Sequence, residues 1–263
     1  MLVNEQSLLD ADCQVSLLKQ QVAKLVACAA EKEIRDLHYK YGYYLDKGLY
    51  KEVVDCFSTR PDAYMQFLNG RFYGPSGIGR IFKDRFGGRY MPGRNGPIYG
   101  YLLDHMLCQE IITINATVTA AKMRGRTLMQ AGTHESMPDD IKNGKKQWWE
   151  GGLYESEFIL ENGMWKIYRL RFFPVWHSDF EHGWRYTKPD FVPGFTASFP
   201  EDALGPDETI SGHMLWPDTR VVPFHYQHPL TAREVEEEDM MAPPVGENTE
   251  ACKRPLSIPD PSF

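Results

Sequence analysis

The sequence predicts an α+β fold, in which helices come first, a long-stranded antiparallel sheet follows, and a long proline-rich C-terminal extension ends the chain. Residues 14–45 contain no proline and almost no glycine, and their apolar residues recur at helical spacing. Residues 102–176 hold long runs rich in β-branched and aromatic residues. Helical segments that precede a block of strands in this way are typical of α+β proteins.

The helical region predicts two helices, or one bent helix, over residues 14–45. Ile34, Tyr41 and Leu45 mark its apolar face, and Gly48 is placed to end it. A short helix over residues 49–57 should follow, because apolar residues recur there at every fourth position.

The next segment predicts a strand over residues 63–67 and a hairpin partner near residues 71–73. Ser76 has the residue type of an N-cap, so a further helix should begin there and end at Gly87 and Gly88. Glycine and proline are then frequent up to residue 100, which predicts a long loop rather than regular structure.

The sheet region predicts antiparallel strands joined by short connections. Asn162 and Gly163 stand between two aromatic-rich runs, and this dipeptide favours the type I′ turn of a two-residue hairpin. The predicted strands cover residues 102–114, 117–132, 148–160 and 165–176.

Composition limits the classes of partner and the compartment. The net charge of −7 and the isoelectric point near 5.6 leave no broad basic field for nucleic acid or for an anionic membrane. The first residues lack the basic start and apolar run of a secretory signal, so a cytoplasmic location is expected. The 5 cysteines form no CxxC motif and suit free thiols in a reducing compartment.

The chain divides into three parts on composition. A domain over residues 1–176 should hold the helices and the sheet. The extension over residues 177–230 combines prolines with aromatic residues and should pack on the domain or on a neighbouring subunit. Residues 231–263 are acidic and predict a largely disordered tail.

Three segments in order carry a family resemblance: EIRDLHYKYGYYLDKGLYKEVVDCFS, GPSGIGRIF and GGLYESEFILENGMWKIYRLRFFPVW. The sequence resembles SnoaL-like proteins of the nuclear-transport-factor-like superfamily over residues 31–176. This resemblance implies a cystatin-like α+β cone, in which a cone-shaped, curved antiparallel sheet is wrapped on N-terminal helices and encloses a pocket for a small organic molecule. It also implies a homo-oligomer, commonly a dimer or a trimer.

The resemblance also implies a pair of acid–base residues. Catalytic members of the superfamily often pair an aspartate at a helix end with a strand histidine, and the matching positions here are Asp46 and His105. Such a pair can remove a proton and return it to a leaving hydroxyl without a cofactor. Alternatively, Asp46 is a solvated acid at a helix end and His105 is a strand histidine with a structural role. Apolar residues at positions 103, 107 and 111 place His105 on an inward face.

Other side chains are candidates for the pocket. Tyr43 is the candidate for a catalytic hydroxyl near Asp46. Trp148 and Trp149 are consecutive in a strand, so one of them should face the pocket and the other should not. The candidates for substrate binding are Tyr64, Arg124, Trp149, Tyr154, Arg171 and Trp176, although arginines that form outward salt bridges are equally expected.

Cofactor motifs are not found in the sequence. It contains no Walker loop, no GxGxxG after a strand and no GxSxG, so nucleotide-dependent and serine-hydrolase functions have no support. His225 and His228 form an HxxH pattern in a prolyl loop, which gives no helical face to align two ligands, and no metal site is expected.

The extension resembles that of longer SnoaL-like proteins of bacterial aromatic catabolism, including cofactor-free lyases that release formaldehyde from lignin-derived diarylpropanes. The resemblance implies a cofactor-independent lyase for a small hydroxylated aromatic compound, by elimination, dehydration or deformylation. The alternatives are a non-catalytic binding or assembly subunit of the same fold, and an isomerase or cyclase of polyketide type.

Overall fold

The computed structural model describes residues 5–88, 93–137, 147–186, 192–210 and 216–242. Among these residues, no helix is both long enough and apolar enough to cross a membrane.

The N-terminal region forms one helix, α1 (Glu5–Asp46), rather than two. No proline interrupts it, and its buried face carries Ile34, Tyr41 and Leu45, as the apolar periodicity predicts. Gly48 ends the helix in the left-handed region at φ 61°, and the N–H of Leu49 donates to the carbonyl of Tyr44 at 2.9 Å.

Short elements close one end of the sheet. Helix α2 (Tyr50–Asp55) is followed by β1 (Tyr64–Phe67), β2 (Gly70–Tyr73) and α3 (Gly74–Gly79), which continues into a π-helical segment (Arg80–Gly87). The prediction of an N-cap at Ser76 is wrong, because α3 begins at Gly74 with Tyr73 as its N-cap. Pro75, whose φ is fixed near the helical value, starts the helix earlier than the polar residue does.

The long strands match the predicted ones closely. They are β3 (Tyr101–Ile114), β4 (Ala120–Thr133), β5 (Gln147–Glu161) and β6 (Met164–Asp179). Asn162 and Gly163 join β5 to β6 with φ of 51° and 76°, which confirms the type I′ turn. Residues 93–100 form turns and bends, whereas residues 89–92 of the predicted loop lie outside the described residues.

The sheet is mixed rather than purely antiparallel. Its order is β3-β4-β5-β6-β1-β2-β7, where β7 (Glu208–Thr209) belongs to the extension. Strands β3 to β6 pair antiparallel, but β1 pairs with β6 in parallel. The sheet is curved and unclosed, which is consistent with the expected α+β cone, and α1 packs across its concave face.

Three irregularities decide which side chains face inward, and one of them lies where Glu157 and Phe158 of β5 pair with Arg169 and Ile167 of β6. A bulge in β3 lies between Cys108 and Ile111, and Gln109 within it has φ 58°. Because the bulge reverses the alternation of the strand, Ile111 is 44% exposed and does not share the face of His105. A second bulge lies where Gly151 and Gly152 of β5 pair with Trp176 and Pro174 of β6.

The C-terminal extension contacts the domain at several described positions. The side chain of Asn69 donates to the carbonyl of Phe195 at 2.9 Å. Arg80 donates to the carbonyl of Gly205 at 2.8 Å and forms an ion pair with Asp207. Residues 192–210 therefore cover one end of the cone.

Candidate active site

A cavity of about 390 Å³ lies between the C-terminal end of α1, the π-helical segment and the concave face of the sheet. Its walls are mainly aromatic, and residues of the extension close one side. The aromatic walls include Tyr50, Phe82, Phe86, Trp148, Phe172 and Phe195. Pockets for small organic ligands have this size and this apolar character.

Asp46 and His105 are in contact at the wall of this cavity, in the pairing that the family resemblance implies. Asp46 is the last residue of α1, and His105 lies on β3 and lines the cavity. The Nδ1 of His105 lies 2.8 Å from Oδ1 of Asp46, and the backbone N–H of His105 donates to the same oxygen at 3.0 Å. Both side chains are about nine-tenths buried, with 9% and 10% exposed.

The two hydrogen bonds define the orientation of the imidazole. A carboxylate at the C-terminal end of a helix faces the negative end of the helix dipole, and the two donors from His105 offset that repulsion. Because the carboxylate accepts, Nδ1 carries the proton in the neutral ring and Nε2 is left as the basic nitrogen. This arrangement can accept a proton from a bound molecule and stabilise the resulting imidazolium.

Two tyrosines, Tyr41 and Tyr154, lie beside the Asp46–His105 pair. Both are buried and line the cavity, and their hydroxyls lie next to each other. Burial raises the pKa of each phenol well above its usual value, and the nearby carboxylate of Asp46 raises it further. Both phenols therefore remain protonated, and the two neighbouring hydroxyls can together donate a hydrogen bond to an oxygen of a bound molecule.

The prediction of a pocket hydroxyl at Tyr43 is wrong. Tyr43 is 75% exposed and projects away from the cavity, whereas Tyr41, two positions earlier, is buried. Residues two apart on a helix lie about 200° apart around its axis. The helical spacing of Ile34, Tyr41 and Leu45 already indicated that Tyr41 faces inward.

A second histidine–carboxylate pair lines the same cavity. Nε2 of His177 lies 2.6 Å from Oε2 of Glu150, and the two side chains are 1% and 8% exposed. Glu150 on β5 and His177 on β6 are direct partners in the antiparallel register. Neither residue is among the candidates predicted from the sequence, because the last predicted strand ends at residue 176, one position before His177.

Most candidates for substrate binding lie outside the cavity. Tyr154 lines it, but Arg171 lies on the other face of the sheet, where it donates to Glu157 at 2.8 Å and to the hydroxyl of Tyr64 at 3.1 Å. Arg124 is also on that face, paired with Glu155 and bonded to the carbonyl of Val222. The predictions for Tyr64, Arg124 and Arg171 as pocket residues are therefore wrong.

The tryptophans are also distributed differently from the prediction. Trp148 lines the cavity, whereas Trp149 points away and stacks on Phe180 with ring centroids 6.1 Å apart. Trp176 packs against Trp184 on the outer side, with centroids 5.5 Å apart. The prediction that Trp149 and Trp176 line the pocket is therefore wrong. Of Trp148 and Trp149, Trp148 is the one that faces the cavity.

The HxxH histidines have other partners. Nδ1 of His225 lies 3.2 Å from Oε2 of Glu155, and Nδ1 of His228 accepts from the backbone N–H groups of Leu230 and Thr231. Within the described part of the chain, no three histidine, cysteine or acidic side chains are grouped as metal ligands.

The fold and the cavity together define a class of α+β cone proteins with an enclosed pocket for a small molecule. Residues 27–171, more than half of the chain, match the family model described as the SnoaL-like domain. The chain therefore belongs to the SnoaL-like family. A comparison with curated protein sequences gives no significant match.

Solved structures to which this chain is similar include two hexachlorocyclohexane dehydrochlorinases. A type 2 LinA is 17% identical with a TM-score of 0.48, over 63% of this chain and 98% of the other. LinA-type3 from Novosphingobium barchaimii LL02 is 17% identical with a TM-score of 0.47, over 63% and 99%. A provisionally assigned scytalone dehydratase from Novosphingobium aromaticivorans DSM 12444 is 16% identical with a TM-score of 0.47, over 60% and 91%. These likenesses concern the fold alone.

Proposed function

We propose that this protein is a cofactor-independent lyase for a small hydroxylated aromatic compound, with Asp46 and His105 as its acid–base pair. The observation that carries the proposal is the 2.8 Å contact between His105 and Asp46 at the wall of a mainly aromatic cavity. A general base needs a fixed tautomer, burial and access to the substrate. The pair has all three.

The chemistry is an elimination. Nε2 of His105 removes a proton from the substrate, and Asp46 stabilises the imidazolium that forms. The protonated hydroxyl of Tyr154, next to that of Tyr41, donates a hydrogen bond to a substrate oxygen on which negative charge develops. Acid–base groups of this kind typically contribute about 10²–10⁴-fold to the rate.

The proposed substrate class is a diarylpropane-1,3-diol of the kind released from lignin. The aromatic walls of the cavity suit the two rings, and the polar groups suit the two hydroxyls. Removal of the proton from the terminal hydroxyl breaks the adjacent C–C bond and releases formaldehyde. The electron pair forms the C=C bond of a stilbene as the benzylic hydroxyl leaves as water.

The experiment compares the wild-type protein with Asp46→Asn and His105→Gln on a panel of lignin-derived diols and polyketide-like phenols, without added cofactor and with a chelator. We expect turnover by the wild type and a loss of at least ~10²-fold in each variant. Asp104→Asn is the matched control, because Asp104 precedes His105 on the exposed side of β3. Its turnover should stay close to that of the wild type.

Three results would contradict the proposal. Folded Asp46 and His105 variants with near-native turnover would remove the pair from the mechanism. Tight binding of the panel compounds without turnover would favour a binding or assembly subunit, and rearranged rather than cleaved products would favour an isomerase or cyclase.

A further inference from the structure

The second pair, Glu150 and His177, lies in the same row of the sheet as His105. His105 is the partner of Met129 on β4, Met129 is the partner of Glu150, and Glu150 is the partner of His177. All four side chains line the cavity. The row therefore runs across the concave face from one histidine–carboxylate pair to the other.

The distance between the pairs suits one small substrate. Neighbouring strands lie about 4.8 Å apart, so two strand spacings place the Cα atoms of His105 and Glu150 roughly 10 Å apart. Both side chains project into the cavity, which shortens the gap between their polar atoms. The hydroxyl of Tyr154 lies near both Asp46 and Glu150, whose charges each raise its pKa.

Stability alone does not account for the second pair. Burying a charged pair costs several kcal/mol in lost hydration, and well-packed apolar residues in its place are often as stable or more stable. Met129, in the same row, shows that an apolar side chain fits there. Ionisable groups buried at a cavity wall are instead typical of sites where protons move.

We propose that Glu150 and His177 form a second proton-transfer pair, which serves the leaving group while Asp46 and His105 serve the proton that is removed. This inference rests on the proposed function. In this step the Glu150–His177 pair starts as a carboxylate and an imidazolium that share a proton at the 2.6 Å contact between Nε2 and Oε2. It transfers one proton to the departing hydroxyl and is left as a carboxylate and a neutral imidazole. His105 gains the proton from the other hydroxyl. The Asp46–His105 pair therefore ends with one proton more, and the Glu150–His177 pair with one proton fewer.

The substrate class follows from the two pairs. It carries two hydroxyls in a 1,3 relation, of which one loses its proton and the other leaves as water. The diol yields one alkene, one formaldehyde and one water, so the reaction balances without an oxidant or a reductant. Exchange of a proton between the two pairs through solvent resets the site.

The test uses Glu150→Gln and His177→Gln together with a change of leaving group. A benzylic hydroxyl needs a proton to leave, whereas a benzylic acetate leaves as acetate without one. With the diol, we expect both variants to lose at least ~10²-fold in kcat. With the acetate ester, both should recover to within about tenfold of the wild type, whereas Asp46→Asn should stay impaired on both substrates.

The outcomes separate the two proposals. A loss in the Glu150 and His177 variants that is equal on both substrates would make the pair structural and overturn the inference. So would near-native turnover of the diol by these variants, with Asp46→Asn still impaired. Full activity of Asp46→Asn on both substrates would instead refute the proposed function, and no turnover by the wild type on either would overturn both. Recovery on the ester also shows that the variants are folded.

Discussion

His38 packs against the pocket tyrosines, and we expect its protonation at low pH to lower the free energy of unfolding. Its side chain is fully buried under the pocket tyrosines, with ring centroids 5.2 Å from Tyr154 and 6.2 Å from Tyr41. Neither ring nitrogen forms a hydrogen bond, and Oε1 of Glu110, at 4.0 Å from Nδ1, is too distant to form one. Burial therefore lowers the pKa of His38 from 6.5 to about 3.

The lowered pKa of His38 determines how the free energy of unfolding depends on pH. The unfolded chain binds a proton at His38 below pH 6.5, whereas the folded chain does not until about pH 3. The contribution of His38 to stability is therefore present above pH 6.5 and is lost as the pH falls through this window, by about 1.4 kcal/mol per pH unit. From pH 7.5 to 4.5 the loss is about 2.7 kcal/mol.

Urea unfolding of the wild type and of His38→Leu at pH 7.5, 6.5, 5.5 and 4.5 measures this loss. Titrating carboxylates affect both proteins alike, so the difference between their free energies of unfolding isolates His38. It should shift in favour of the variant by about 1.4 kcal/mol per unit below pH 6.5. His134→Gln, at an exposed histidine, is the control. A difference that does not change with pH would refute the reasoning.

Three further predictions concern the pocket, the long helix and the extension. Tyr154→Phe should lower kcat about 10- to 100-fold without unfolding the protein, because a donor to a charged oxygen is worth about 1.5–3 kcal/mol; an unchanged kcat would exclude that donor. We propose that the protein self-associates through the exposed strip of α1 that contains Leu18 and Leu25. The double variant Leu18→Lys with Leu25→Lys should then have a lower mass in light scattering. A monomeric wild type would contradict this. Asp207→Asn should lower the free energy of unfolding by about 1–3 kcal/mol, since it leaves the buried Arg80 without its ion pair; equal urea midpoints would contradict this.

The fold was predictable where its signals are local. The apolar stripe of α1, the end of α1 at Gly48 and the Asn162-Gly163 turn each depend on residues close in sequence. The parallel pairing of β1 with β6 was not predictable in this way, because about a hundred residues separate Tyr64 from its partner Arg169. The Asp46–His105 pair, which also joins distant residues, came from the family resemblance.

The inward residues of the sheet could not be predicted from alternation alone. Arg124, Arg171 and Tyr64 are on the outer face, where ion pairs and hydrogen bonds satisfy them. One signal was present in the sequence: glycine within a strand often marks a bulge or a close approach. A Cβ at Gly151 would lie 2.2 Å from the side chain of Trp176, and one at Gly152 would lie 2.4 Å from that of Phe172.

The bulge opposite these glycines explains why the second pair exists. Gly152 pairs with Pro174 and Gly151 pairs with Trp176, so β6 has one extra residue there, next to a proline that has no N–H for the ladder. Before the bulge, Phe172 faces the cavity and its odd-numbered neighbours face outward. Because the extra residue reverses this alternation, His177 faces inward and contacts Glu150, and Trp176 faces outward. β6 has an earlier bulge, where Glu157 and Phe158 pair with Arg169 and Ile167. With that bulge kept and the one beside Pro174 removed, Trp176 would occupy the cavity and His177 would be on the outer face, so the inward position of His177 depends on the bulge beside Pro174.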